Sequence, residues 1–289
     1  DFEKWGSSAP NSTKEYTKAW ISSMFGSYTS KEEREEIQEV LEGYLKINAL
    51  RKPESLNDTV YHPAHYLECE KQLSFCGKLE EKNERLWKTL EERAYFSMIY
   101  FSAEASFNLL KMHLYSGKNH LYASQGKAVA NEYDKLVEAC IEKDEALKAQ
   151  MAAFKDGKWA GMELASHIGF TNWNDEDWRY PVRHVIRLPK KPRLVVTRAD
   201  KTQHYTNQYF PITLVIDDFV VSSSKKAKIQ IANGGQGSVK WKIQEGARKV
   251  GLDGIAHESQ DETSCEWLEF SKMSGETALQ DEVEISLKE

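Results

Sequence analysis

The feature that most constrains this 289-residue chain is a change of hydrophobic period near Pro181. Upstream, apolar residues recur at helical spacing. Downstream, they fall into short β-rich runs separated by turn residues. The first pattern buries one face of a helix and the second buries one face of a strand. The chain is therefore read as α+β: an N-terminal all-α helical bundle followed by a C-terminal antiparallel β-sandwich. The boundary between the two is placed near residue 180.

Tyr16, Trp20 and Met24 sit at i, i+4 and i+8, which predicts a short helix from Thr13 to Phe25 closed by Gly26. Ser30 and Glu33 form a capping box ahead of a helix whose face carries Ile37, Val40, Leu41, Tyr44, Leu45 and Ile47. It should stop before Pro53. Further helices are expected from about Pro63 through Leu79, from Leu86 to Tyr100, from Ser102 to Tyr115 and from Asn119 to Ile141, with Asp144 capping a last one to Phe154. Strands are expected at Arg193–Thr197, Ile212–Ile216, Lys228–Ile231, Val239–Ile243, Glu266–Phe270 and Val283–Leu287. Asn233-Gly-Gly235, Gly251, Gly254 and Ser274-Gly275 read as turns between them, with Asn233–Gly237 a hairpin loop.

The joint between the halves is dense in unusual residues. Lys155–Trp173 holds Gly157, Gly161 and Gly169, with Trp159, His167 and Trp173 among them. It reads either as a rigid joint or as a joint that also faces a partner domain or a ligand. Lys118–Gln125 is a second such stretch, where amides, His and Tyr interrupt a helical pattern. A polar network, a helix-face contact to another domain and a plain helix start all explain it.

Several chemistries are excluded or left without a residue set. The formal net charge of −6 argues against a nucleic-acid surface, because phosphate binding needs a basic face. No apolar run approaches the ~18–20 residues of a membrane span. The opening Asp1-Phe-Glu-Lys-Trp5 has neither initiator Met nor apolar signal region, so a boundary within a longer product is expected there and the compartment stays open. Cys69, Cys76, Cys140 and Cys265 form no C-x-x-C. Cys69 and Cys76 would lie about 10 Å apart along a helix, so buried free thiols are expected rather than zinc or a disulfide. His62 and His65, with Glu68 only loosely placed, fall short of a metal's three or four ligands. No metal or cofactor is expected. Carboxylates at 32–42 and 80–92 read as solvated helix faces, and no acid pair across a cleft is evident.

Three stretches, in order, resemble one family: Leu50-Arg-Lys-Pro-Glu54; Lys118–Gln125 with Ala130-Asn131; and Gly157-Lys-Trp159 with His167–Trp173. They are similar to the C-terminal half of family 115 of the glycoside hydrolases, the xylan α-glucuronidases. Gly161-Met162-Glu163, Ser166 and Phe170 depart from that family's pattern. The resemblance implies that residues 1–26 are the tail end of a preceding catalytic α/β barrel region, that residues 27–180 are the helical bundle domain and that residues 181–289 are the β-sandwich domain. Glu266–Gly275 is similar to Ig-like modules, which implies an Ig-like sandwich. The family 115 resemblance implies a parent that hydrolyses (4-O-methyl)glucuronic acid side chains from glucuronoxylan, with its acids on the barrel. No residue of this chain is then catalytic, and the chain alone should be inactive. Trp159, His167, Trp173, Tyr122, Gln125 and Asn131 become candidate domain-interface or sugar-contact residues. The implied partners are the chain's own barrel, a xylan-derived oligosaccharide and a second copy in a homodimer, with an apolar patch near Trp159, His167 and Trp173 left for one of them. The parent would be secreted or periplasmic, or cytoplasmic if it acts on imported oligosaccharides. The competing reading is a stand-alone carbohydrate-binding or scaffold module.

Overall fold

The computed structural model describes residues 12–90, 93–154, 161, 180–203, 205–206, 214–216, 226–244, 248–250, 256–258 and 266–288. The fold is α+β, with helices in the N-terminal part and antiparallel strands in the C-terminal part. The long helices are α1 (Ser12–Phe25), α2 (Lys31–Leu50), α3 (Tyr66–Leu90), α4 (Phe101–Ser124) and α5 (Ala130–Phe154). The chain divides into two compact units. The first is Asp1–Val60, Glu68–Leu114 and Val137–Pro181; the second is Tyr61–Leu67, Tyr115–Leu136 and Val182–Glu289.

In the first unit, α2 begins where its capping box places it. The Glu33 amide donates to Ser30 Oγ at 3.1 Å, and the Ser30 amide donates to Glu33 Oε2 at 2.7 Å. Ile37, Val40, Gly43 and Ile47 are its buried face. Gly43 lets the helices pack closely there: a Cβ would come within 2.3 Å of Leu79 Cδ1 on α3, so the Leu79 side chain would have to shift. α3 runs unbroken through the expected gap between Leu79 and Leu86, because Asn83 fills that gap as a buried helical residue. Its Oδ1 accepts from Tyr95 Oη at 2.8 Å, and its Nδ2 donates to Glu104 at 2.6 Å and to the Tyr100 carbonyl at 3.2 Å. α5 likewise runs straight through Asp144, which is no cap. Asp144 is buried and accepts from Tyr180 Oη at 3.0 Å.

The polar centre of this unit is Lys143. Its Nζ lies 2.9 Å from Glu80 and 3.5 Å from Glu84, and it also binds Glu104, which is fully buried. Lys111 donates to the other Glu80 oxygen at 2.5 Å. Burial would raise the Glu80 carboxyl, but the two lysines outweigh it and hold the group below its usual range. Burial raises Glu104. Lys143→Ala would leave the Glu104 charge buried without its cation, and breaking such a pair costs about 3 kcal/mol. Urea unfolding should show a loss of that order, and adding Glu104→Gln should recover part of it.

The second unit is built on one five-stranded antiparallel sheet of order β2-β1-β3-β9-β7: β1 (Leu194–Arg198), β2 (Tyr205–Thr206), β3 (Lys226–Asn233), β7 (Leu268–Phe270) and β9 (Gln280–Leu287). β4 (Val239–Lys242) pairs with β8 (Ser274–Thr277), and β5 (Arg248–Val250) pairs with β6 (Ala256–Glu258). Alternation along the strands separates two faces. Ile229, Ile231, Val283 and Ile285 form an apolar cluster with Val239 and Trp241 of β4. Thr197, Gln230 and Glu282, paired in register across β1, β3 and β9, make a polar row on the other face.

Two turn expectations are corrected here. Ser274-Gly275 lies in strand β8. Its glycine serves packing, since a Cβ at 275 would come within 2.8 Å of the Trp241 ring. Asn233–Gly237 joins β3 to β4, strands that do not pair with each other, so it is a connection between sheets and not a hairpin. Asn233 shapes it, accepting from the Gly235 amide at 2.9 Å and donating to the Gly237 carbonyl at 2.8 Å. Of the Ile212–Ile216 run, 214–216 carries no strand.

Candidate functional site

Lys118–Ser124 forms the last turns of α4, and Gln125 lies in the turn that follows. That short turn leads into α5, making a helical hairpin within the second unit. Gly126 makes the turn at φ 67°, a conformation that side-chain-bearing residues disfavour. The turn is tied to the sheet: the Ala128 amide donates to the Asn233 carbonyl at 2.7 Å. Where a Cβ would stand on Gly234, the Gly126 carbonyl is only 2.7 Å away, so two glycines let turn and strand meet.

Between them stands Lys127, fully buried. Its ammonium donates to Thr197 Oγ1 at 2.8 Å, Gln230 Oε1 at 2.8 Å and Gln280 Oε1 at 3.2 Å. The Tyr122 ring lies beneath it, 4.7 Å from Nζ to centroid. All three oxygens are neutral. Burial therefore pushes the amine down to about 7, with Glu282 pulling the other way. Glu282 is engaged nearby, accepting from Gln230 Nε2 at 3.1 Å and from Lys228 Nζ at 3.0 Å.

The expected site residues divide into two groups. Trp159, His167 and Trp173, and with them the patch expected at that joint, lie outside the described residues. Tyr122, Gln125 and Asn131 are brought together on the hairpin. Tyr122 is the floor under Lys127, and its hydroxyl meets Gln230 Nε2 at 3.4 Å. Gln125 is buried; its Nε2 donates to the Thr202 carbonyl at 3.1 Å, while its Oε1 finds no partner. Asn131 is a two-pronged backbone clamp, accepting from the Ile186 amide at 2.9 Å and donating to the Ile186 carbonyl at 3.1 Å. Apart from Gln125 Oε1, the polar groups of all three are spent on the chain itself.

Sequence reasoning passed over Lys127 and Asp134, and took Asn119 only as part of the Lys118–Gln125 stretch. Asn119 clamps His184 as Asn131 clamps Ile186, with bonds of 2.9 and 2.8 Å. The available signal was the pair of asparagines flanking Gly126-Lys127, one on each helix. Beside the clamps is an open groove of about 480 Å³, bordered by Ala128, Asn131, Val185, Leu188, Gly235 and Leu279. Its described lining holds no aromatic ring to stack on a sugar.

The other candidates are structural where they are described. His62 Nδ1 accepts from the Ala64 amide at 3.1 Å and shapes the turn before α3. Among the described residues no three His, Cys, Asp or Glu side chains form a metal-binding group. Cys69, Cys76 and Cys140 are buried free thiols, and burial pushes Cys140 up to about 11. No helix among the described residues is long and apolar enough to cross a membrane. No protein-family model matches the chain, and no curated protein matches it either.

Lys127 sets a pH dependence whose sign is fixed. Its amine releases its proton at about 7 in the fold and at about 10.4 when unfolded. Between those values the unfolded chain binds the extra proton, so stability rises with pH across that window and the gain is lost as pH falls through 7. Thermal unfolding at several pH values from 7 to 9 should show this rise, and Lys127→Met should flatten it.

Proposed function

We propose that this chain is a non-catalytic, supporting part of a larger glycoside hydrolase resembling the family 115 xylan α-glucuronidases. It would brace the catalytic barrel and contribute to oligomerisation during removal of (4-O-methyl)glucuronic acid side chains from glucuronoxylan. The family part of this reading rests on the ordered sequence motifs alone. The supporting role rests on one observation. In the motif Lys118–Asn131, the side chains of Asn119, Gln125 and Asn131 bind the chain's own backbone, and Lys127 binds its own strands. A ligand pocket holds a few polar groups convergent on its ligand. Here they are consumed in holding hairpin, sheet and extended chain together.

The charged cluster around Lys143 fits the same reading. Glu80, Glu84 and Glu104 share one lysine, so none is poised as an isolated acid or base opposite another. We also infer that the second unit's strands form a two-layer, Ig-like sandwich. Support comes from Val239 and Trp241 of the β4–β8 ribbon, which share an apolar cluster with the inner residues of the five-stranded sheet.

Incubation of the chain with glucuronoxylan should release no glucuronic acid, and clear turnover would refute the supporting role. Titration with xylo-oligosaccharides should leave the tryptophan fluorescence unchanged. A saturable change would favour the carbohydrate-binding module instead.

A further inference from the structure

Residues 183–193 carry five Arg and Lys and no Asp or Glu, in a chain whose formal net charge is −6. Several cations of the second unit are neutralised in place: Arg198 holds Asp200, Lys226 holds Glu284 and Lys228 holds Glu282. Within the run, Arg183 forks onto Asp134, with Nε to Oδ1 at 2.7 Å and Nη2 to Oδ2 at 2.9 Å. Arg187, Lys190 and Lys191 differ. All three are exposed, and none has an ion-pair partner among the described residues. The backbone that carries them is nevertheless fixed. The Gln236 amide donates to the Pro189 carbonyl at 2.9 Å, and Gln236 Nε2 donates to the Leu188 carbonyl at 3.3 Å. The Gly234 amide donates to the Arg193 carbonyl at 2.7 Å, and the Arg193 amide donates to Asn233 Oδ1 at 3.1 Å. Pro189 and Pro192 lock φ at two positions between those bonds. Gly235 lets the connection pass close by, since a Cβ there would run into the Lys191 carbonyl oxygen.

The open groove of about 480 Å³ lies on the same stretch of backbone, with Val185, Leu188 and Leu279 in its wall. Its own acids are spent, Asp134 on Arg183 and Glu132 on Lys135 at 2.9 Å, so neither offsets the free cations. We propose that the cationic strip and the groove form one docking surface for an acidic segment of a partner protein. The segment's carboxylates face Arg187, Lys190 and Lys191, and an aliphatic side chain of the segment enters the groove beside Leu188 and Leu279. The partner's chemistry follows from the surface. Unpaired cations along a fixed chain ask for anions along another. Aliphatic walls ask for an aliphatic anchor. Acidic polysaccharides and nucleic acids also supply anions, but their sugars and bases stack on aromatic rings, and the described lining has none. No part of the chain has to move aside, because the three cations are exposed as they stand. The backbone is already ordered, so docking loses little freedom on this side of the interface.

The test uses the full chain and a fluorescein-labelled peptide made of repeated Asp-Glu-Leu. Fluorescence anisotropy at about 50 mM salt should show saturable binding, weakened severalfold at about 300 mM as exposed charges are screened. The triple variant Arg187→Glu, Lys190→Glu, Lys191→Glu gives up no side-chain bond among the described residues. It should bind the peptide about tenfold or more weakly. Leu279→Ser should weaken binding about threefold or more, and a peptide with serine in place of leucine should not sense that change. Circular dichroism checks the fold of each variant. Should the triple variant not fold, Lys190→Ala with Lys191→Ala reads the same dependence on charge. Equal binding by the parent and the charge-altered chain would overturn the proposal, as would no saturable binding by the parent at the lower salt concentration. Equal affinity for the leucine and serine peptides would overturn the groove as part of the site, in favour of diffuse attraction. Tighter binding of polygalacturonate, of a single-stranded oligonucleotide or of phosphatidylserine vesicles than of the peptide would overturn the protein partner in favour of that polyanion.

Discussion

The second unit is organised around one lysine amine taken out of water. Bringing a lysine to full burial costs several kcal/mol unless its protons find acceptors. Lys127 finds three, on three different strand positions: Thr197 on β1, Gln230 on β3 and Gln280 on β9. That set exists in one register only, since a slip of one residue would turn Gln230 to the opposite face of the sheet. Apolar packing between hairpin and sheet would tolerate several placements. Three directed bonds from one atom tolerate very few. The neighbouring contacts then follow: Gly126 against Gly234, the Ala128 amide on the Asn233 carbonyl, and the Tyr122 ring under the ammonium.

The two units solve the buried-charge problem in opposite ways. Around Lys143 the compensation is ionic, with three glutamates gathered on one cation and Lys111 sharing Glu80. Such a cluster resists neutralisation, because each charge is held by its neighbours. Around Lys127 the compensation is dipolar. The oxygens satisfy the protons and leave the charge itself only weakly offset, which is why the amine is driven down while Lys143 is driven up. Polar side chains in both units thus define geometry more than they add net stability.

Much of this was legible in the sequence, and the reasons for the rest are physical. The change of period separated helix from strand because burial of one face writes that period directly. The Ser30–Glu33 box marked the start of α2 because its two bonds are local. Helix ends inside the bundle were less legible. Asp144 read as a cap, since its side chain usually prefers caps and turns, and Asn83 fell in the stretch left between two expected helices. Each is instead kept in mid-helix by tertiary partners, Tyr95 and Glu104 for one and Tyr180 for the other. Gly275 read as a turn because a glycine says only that a side chain is forbidden. Whether backbone conformation or a neighbouring tryptophan forbids it is settled across the fold. Tyr122, Gln125 and Asn131 were singled out through the family resemblance, and their targets, the backbone of 186 and 202 and the strand residue Gln230, lie far along the chain. A single sequence does not carry that pairing.

The asparagine clamps show why a helical hairpin can hold an extended chain at all. A helix has no free main-chain edge, because its own amides and carbonyls are spent along its axis. It can present a strand-like edge only through side chains that carry a donor and an acceptor side by side, which the primary amide does. Asn119 and Asn131 sit on different helices, so they reach alternate residues of one extended segment only while the turn at Gly126 holds the helices in register. That turn is in turn fixed to the sheet through Lys127 and Ala128. The grip on residues 184 and 186 is therefore set by a lysine that touches neither of them.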